Sequence, residues 1–202
     1  LAQRMGTYDA VRMILDTYRG LSDELIQGTP ATPNPQAPAP RPPALDLLVW
    51  PETVYPTTFG APKSEDGASF DREIAGYVEA HQVPLVFGSY DVGGGEEFNA
   101  AMALAPATDG RLSLTAYRKA RLFPLTERVP AWLDNALVRG WLPWLGTWHP
   151  GRGGDVLQVR LPDGRSLRAA PLICYDAIDP SLSLEAVRRG AEVLVTLSND
   201  SW

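Results

Sequence analysis

Seven short apolar runs decide what this chain can fold into: LDLLVW (45–50), PLVFGSY (84–90), FNAAMALA (98–105), RLSLTAY (111–117), VLQVRL (156–161), SLRAAPLICY (166–175) and EVLVTLS (192–198). Each is too short for a stable helix and is bounded by turn-formers, so each reads as a strand. PATDG joins the third run to the fourth and PDGR joins the fifth to the sixth, which predicts two hairpins. Helical spacing appears in three other places. Over 6–25, Val11, Ile14, Leu15 and Tyr18, with Leu21 or Leu25, share a face. Over 69–82 the face is Phe70, Ile74, Tyr77 and Val78, and 182–189 closes on Gly190 as a cap. Strands alternating with helices, with hairpins between them, predict a mixed α/β sheet rather than an all-β fold.

The stretch GTPATPNPQAPAPRPP (28–43) breaks this pattern. Its prolines forbid a helix or a strand ladder, and the helix before it is too small to be a domain. It reads as a long surface loop inside one domain. A chain of 202 residues can bury a sizeable core. Its net charge of −6, with no Lys/Arg block, gives no support to a nucleic-acid partner. One cysteine forms neither an internal disulfide nor a cysteine-based zinc site, and the two histidines, His81 and His149, are far apart. No metal or cofactor is implied. No run approaches the ~18 apolar residues that span a bilayer.

Chemistry concentrates where the apolar runs end, which is where loops gather in layered α/β folds. Glu52 follows LDLLVW, Lys119 follows RLSLTAY, and Cys174 closes SLRAAPLIC. Of 18 basic residues only Lys63 and Lys119 are lysines, and lysine, unlike arginine, exchanges its proton when its pKa is lowered. A carboxylate, an amine and a thiol are complementary. Glu52 would take the thiol proton, and Lys119 would favour the thiolate and stabilise an oxyanion. The backbone N–H of Tyr175 would be a second oxyanion donor. Taken one at a time, each residue has a plainer reading: a packed cysteine, a solvated turn glutamate, a surface lysine beside Arg118 and Arg121. Spacing alone does not bring the three together.

Four motifs occur in order: VWPET with Glu52, YRKARLFPLTERVP with Lys119, LICYDA with Cys174, and VLVTLSNDSW. Together they resemble the carbon–nitrogen hydrolase (nitrilase) superfamily, most of all its apolipoprotein N-acyltransferase branch. The resemblance implies an αββα sandwich with mixed sheets and a Glu-Lys-Cys triad. Glu52 would be the general base, Lys119 the oxyanion and proton-transfer partner, and Cys174 the nucleophile. Glu127 would orient the lysine or the incoming amine, and Tyr175, Asn199 and Trp202 would line the pocket. Two departures stand out. Leu125-Thr126 replaces the branch's Phe-Gly before Glu127, and Asp176 replaces the glutamate that follows Cys-Tyr there. Against the family's usual length, residues 1–202 read as one domain truncated at both ends.

The resemblance implies an acyltransferase of the bacterial inner membrane with this domain facing the periplasm. Its partners would be a phospholipid acyl donor and the N-terminal cysteine of an apolipoprotein as acceptor. A cytoplasmic amidase or nitrilase-like hydrolase with the same triad is the alternative, and a catalytically silent binding module is a third reading. The tract AWLDNALVRGWLPWLGTWHP (131–150) holds four of the six tryptophans, which suits either a lid touching lipid or a segment packed on the domain.

Overall fold

A computed structural model describes residues 7–28, 45–129, 135, 137, 140 and 148–199. The Pro-rich stretch, most of the Trp-rich tract and Trp202 lie outside these residues. The first helix, α1 (Tyr8–Gln27), buries Val11 and Leu15 and stops at Gly28, whose N–H returns to the carbonyls of Glu24 and Leu25. α2 (Glu65–His81) begins a turn earlier than the apolar spacing predicts. Ser64 caps it by accepting the Gly67 N–H at 3.0 Å, with Glu65 and Asp66 in the first turn.

The first sheet has the order β1-β2-β3-β4, with β1 Leu48–Val49, β2 Leu85–Gly93, β3 Glu96–Pro106 and β4 Leu112–Arg118. β1 is parallel to β2, and the other neighbours are antiparallel. β1 is shorter than its apolar run because Pro51 has no N–H to continue the ladder. The amides of Leu48 and Trp50 still reach Pro84 and Val86 at 2.9 and 2.8 Å. β2 and β3 form a hairpin that the apolar runs do not announce. Gly93 pairs with Glu96 across Gly94 and Gly95, both at positive φ, as the tight turn favoured between twisted strands requires.

The second sheet has the order β5-β6-β7, with β5 Leu157–Arg160, β6 Ser166–Ile173 and β7 Val193–Leu197. β5 and β6 are antiparallel. β6 and β7 are parallel and joined through α3 (Pro180–Arg188), which Asp179 caps from in front of Pro180.

Strand alternation then builds four layers. Leu85, Phe87, Ala100, Met102 and Leu104 face α1 and α2, meeting Leu15, Phe70, Ile74 and Val78. Val86, Ala101, Ala103, Ala105 and Tyr117 face the second sheet and meet Val159, Ala169, Ile173 and Leu197. On the far side Leu172 packs against Leu182 of α3. The run of alanines on the inner face of β3 lets the two sheets approach closely, and each large side chain buried in these layers contributes about 1.5–3 kcal/mol. The architecture is the αββα sandwich with mixed sheets.

Candidate active site

Within the first sheet, β1, β2 and β4 run in one direction, so the residues just after β1 and β4 emerge at the same end. Glu52 sits on a turn that crosses over β2 at Gly88. A Cβ at Gly88 would stand 2.3 Å from the Thr53 amide nitrogen and 2.6 Å from the Glu52 Cα. Only a glycine allows that crossing, which the Gly88 amide secures by donating to the Pro51 carbonyl at 3.1 Å. Lys119 follows β4 directly, and its amide donates to the Asn99 carbonyl of β3 at 2.8 Å.

The side chains converge. Lys119 Nζ donates to Glu52 Oε1 at 3.0 Å and to Glu127 Oε1 at 2.9 Å. Asn99 Nδ2 donates to the same two oxygens, at 2.8 and 3.1 Å. Glu127 Oε2 accepts the Phe123 amide at 2.7 Å. All four residues are buried, Lys119 at 1% exposure. Of the four carboxylate oxygens, Glu52 Oε2 is the one buried without a partner among the described residues. Burial pulls the Lys119 ammonium down, but the charges of Glu52 and Glu127 and their hydrogen bonds outweigh it and push the pKa above its ordinary value. Lys119 is therefore a cation at neutral pH and serves as a donor, not as a base. Lys63, the other lysine, is exposed and pairs with Glu97 on the surface.

Cys174 begins a 3-10 turn (Cys174–Ile178) at the end of β6, with φ at +48°, a backbone conformation that non-glycine residues seldom take. The half-buried thiol lies close enough to Glu52, Lys119 and Glu127 for each charge to act on it. Burial pushes its pKa up first, and Glu52 and Glu127 push the same way. Lys119 and a hydrogen bond with Ser198 pull it down without reversing the result. Lys119 therefore acts on the thiol in the expected direction, but burial first, and then the two carboxylates, outweigh its single charge. The thiol rests protonated at neutral pH, so any attack through it would need a base.

Asp176 joins the two halves of the site. It is fully buried, and its Oδ1 accepts the amides of Ala120 and Arg121 at 3.1 and 2.7 Å, just after Lys119. Its Oδ2 accepts the Tyr117 hydroxyl at 2.9 Å and the Ile173 amide at 3.1 Å, just before Cys174. One carboxylate thus ties the lysine strand to the cysteine turn. Asp176→Asn would turn an N–H₂ group onto donors, and removing a charged acceptor costs about 1.5–3 kcal/mol per bond. We expect a loss of about 3 kcal/mol in denaturant unfolding together with slower chemistry at Cys174.

The other expected residues are placed as follows. Tyr175 is half-buried, and its ring meets Phe123 edge-on at 5.2 Å. Asn199 is half-buried just past β7, at the end where Cys174 leaves the parallel neighbour β6. Leu125, where the branch has Phe, takes a φ of +72° in the turn that presents Glu127. At the end of the Trp-rich tract, Trp148 packs on Tyr90 with ring centroids 4.4 Å apart, and its amide donates to the Glu127 carbonyl at 3.2 Å. Tyr90 and Asn99 join the site without belonging to any of the four motifs. Burial, with the charges of Glu52, Glu97 and Glu127, pushes the Tyr90 pKa up to about 12. For Asn99 a signal exists: it shares the inner face of β3 with Ala101, Ala103 and Ala105, where a polar side chain needs a reason.

Comparison with known proteins identifies the family and the fold. The carbon-nitrogen hydrolase family model matches residues 14–202. An apolipoprotein N-acyltransferase of Chlorobaculum tepidum is 32% identical over 180 residues, covering 78% of this chain and 32% of that protein. Its counterpart in Allorhizobium ampelinum is 34% identical, covering 85% of this chain and 31% of that protein. The chain thus spans about a third of the length of these curated relatives. Among solved structures, a carbon-nitrogen hydrolase from Helicobacter pylori superposes with a TM-score of 0.56 at 16% identity, covering 93% of this chain and 55% of that one. Saccharomyces cerevisiae Nit3, a nitrilase-superfamily member, gives 0.58 at 15% identity, covering 93% and 59%. The fold, the order of its motifs and the match along nearly its whole length make this chain a member of the carbon–nitrogen hydrolase family.

Proposed function

We propose that residues 1–202 belong to one catalytic domain that transfers a fatty acyl group from a phospholipid to the N-terminal amine of an apolipoprotein. The carrying observation is the Glu52 carboxylate. One oxygen is fixed by Lys119 and Asn99, and the other is buried and unpartnered within electrostatic reach of a protonated thiol. In this reading Glu52 Oε2 takes the thiol proton as Cys174 Sγ attacks the ester carbonyl. The oxyanion is met by Lys119 Nζ and the Tyr175 N–H. Glu52 returns the proton to the leaving oxygen, lysophospholipid departs, and a thioester remains on Cys174. The acceptor amine then gives its proton to Glu52 and attacks the thioester, so that an amide and the free thiol result. Glu127 holds Lys119, and Asn199 and Trp202 line the acyl or acceptor side.

The relatives' name supports the transfer reading over hydrolysis. Among the described residues no helix is long and apolar enough to cross a membrane. In this reading the domain lies on the periplasmic face of the inner membrane. The test gives full-length protein phospholipid vesicles carrying a labelled acyl chain, with a lipidated peptide bearing an N-terminal cysteine. Label is expected on the peptide in a hydroxylamine-resistant amide. Label recovered only as free fatty acid, with or without peptide, would make the enzyme a hydrolase.

A further inference from the structure

The buried cluster is short of positive charge. Glu52 and Glu127 bring two negative charges and Lys119 brings one positive, with no other cation hydrogen-bonded to either carboxylate among the described residues. No second charge offsets this among the described residues; the added donors come from a neutral amide. Asn99 directs both of its N–H bonds at the two oxygens that Lys119 also holds, so Nζ and Nδ2 each bridge Glu52 Oε1 and Glu127 Oε1. The reverse orientation would set Oδ1 against two carboxylate oxygens, so the carboxylates dictate the orientation. Its consequence is visible: Asn99 Oδ1 is buried with no partner among the described residues. A core position on the same face as Ala101 and Ala103 would be satisfied by an alanine or valine. Instead it holds a half-satisfied amide, whose N–H groups are spent on the two glutamates of the site.

From this we infer that Asn99 is a positioning residue for activation of the nucleophile. By sharing Glu52 Oε1 with Lys119, it holds the carboxylate turned so that, among the described residues, Oε2 is the oxygen left to take a proton. The inference rests on the proposed role of Glu52 as the base toward Cys174. Among the described residues the groups facing Glu52 are Lys119 and Glu127 after β4, Tyr90 on β2 and Cys174 at the end of β6, and of these only Lys119 is cationic. Taking the Asn99 donor away leaves the anion less stabilised, so the protonated carboxyl persists to higher pH.

The test measures the burst of acylation by p-nitrophenyl acetate against pH in the full-length protein. Asn99→Ala is expected to move the acid limb of the burst rate up by about one pH unit and to slow the burst about tenfold at neutral pH. Asn99→Asp keeps the shape but puts a third carboxyl in place of the donor, and should move the limb further. Asn99→Ser, which retains one hydroxyl donor and less bulk, should fall between wild type and the alanine variant. Variants that lose stability or rate but keep the wild-type acid limb would show that Asn99 is a packing residue and overturn the inference alone. Absence of any Cys174-dependent burst in the wild type would overturn the proposed chemistry, and the inference with it.

Discussion

Cys174→Ser should accumulate no thioester and should slow acyl transfer by about a millionfold, the scale seen when a covalent nucleophile is removed. The substitution is nearly isosteric, and the turn that holds the residue at φ +48° is unchanged, so the protein should fold. What fails is proton transfer. A carboxylate removes a proton from a thiol with difficulty and from an alcohol hardly at all, because the alcohol is far the weaker acid. The wild-type thiol already rests above its ordinary pKa through burial and the two glutamates, so in the proposed mechanism the proton leaves during attack and a poorer acid has no reserve to draw on. Mass analysis of protein quenched during turnover checks this. A Cys174→Ser variant that still carried a hydroxylamine-labile acyl group would move the nucleophile elsewhere.

Lys119→Arg keeps the charge and should still cost at least about a hundred- to a thousandfold in the acylation rate, the scale of losing one well-placed oxyanion donor. Nζ sits 3.0 Å from one carboxylate oxygen and 2.9 Å from another, in a side chain 1% exposed, with Asn99 completing the enclosure. A guanidinium is wider and planar. It can satisfy both carboxylates only by turning its fork toward them, which takes its donors away from a carbonyl beside Cys174. Lys119→Ala would instead leave two buried carboxylates without their cation and report mainly on stability. Single-turnover acylation of the arginine variant, with its fold checked by circular dichroism, separates the two effects. Near-normal acylation would make Lys119 a structural counter-charge.

Much of this is legible in the sequence because strand periodicity is local. The turn PATDG between the apolar runs FNAAMALA and RLSLTAY places a hairpin where the structure has one, and an apolar run ending in a reactive residue singles out Glu52, Lys119 and Cys174 one by one. Their meeting is not local. It depends on a turn crossing Gly88, on strand directions in the first sheet, and on Asp176 binding backbone amides from two distant segments. Asn99 carries a signal as a polar side chain on the alanine face of its strand, but its two carboxylate partners come from distant segments and show only in the fold. The glycine-pair hairpin between β2 and β3 is hidden because YDVGGGEEF is too polar to read as two paired strands, although the ladder continues through it to Gly93 and Glu96. The start of α2 follows its Ser64 cap rather than its first apolar residue.

The most direct test of the account is a structure of the full-length protein trapped as an acyl-enzyme. It predicts the acyl carbon on Cys174 Sγ and the acyl oxygen within about 3 Å of Lys119 Nζ and the Tyr175 amide, with Glu52 Oε2 facing the space from which a second nucleophile arrives. An acyl group carried by another residue, or an acyl oxygen turned away from Lys119, would contradict it.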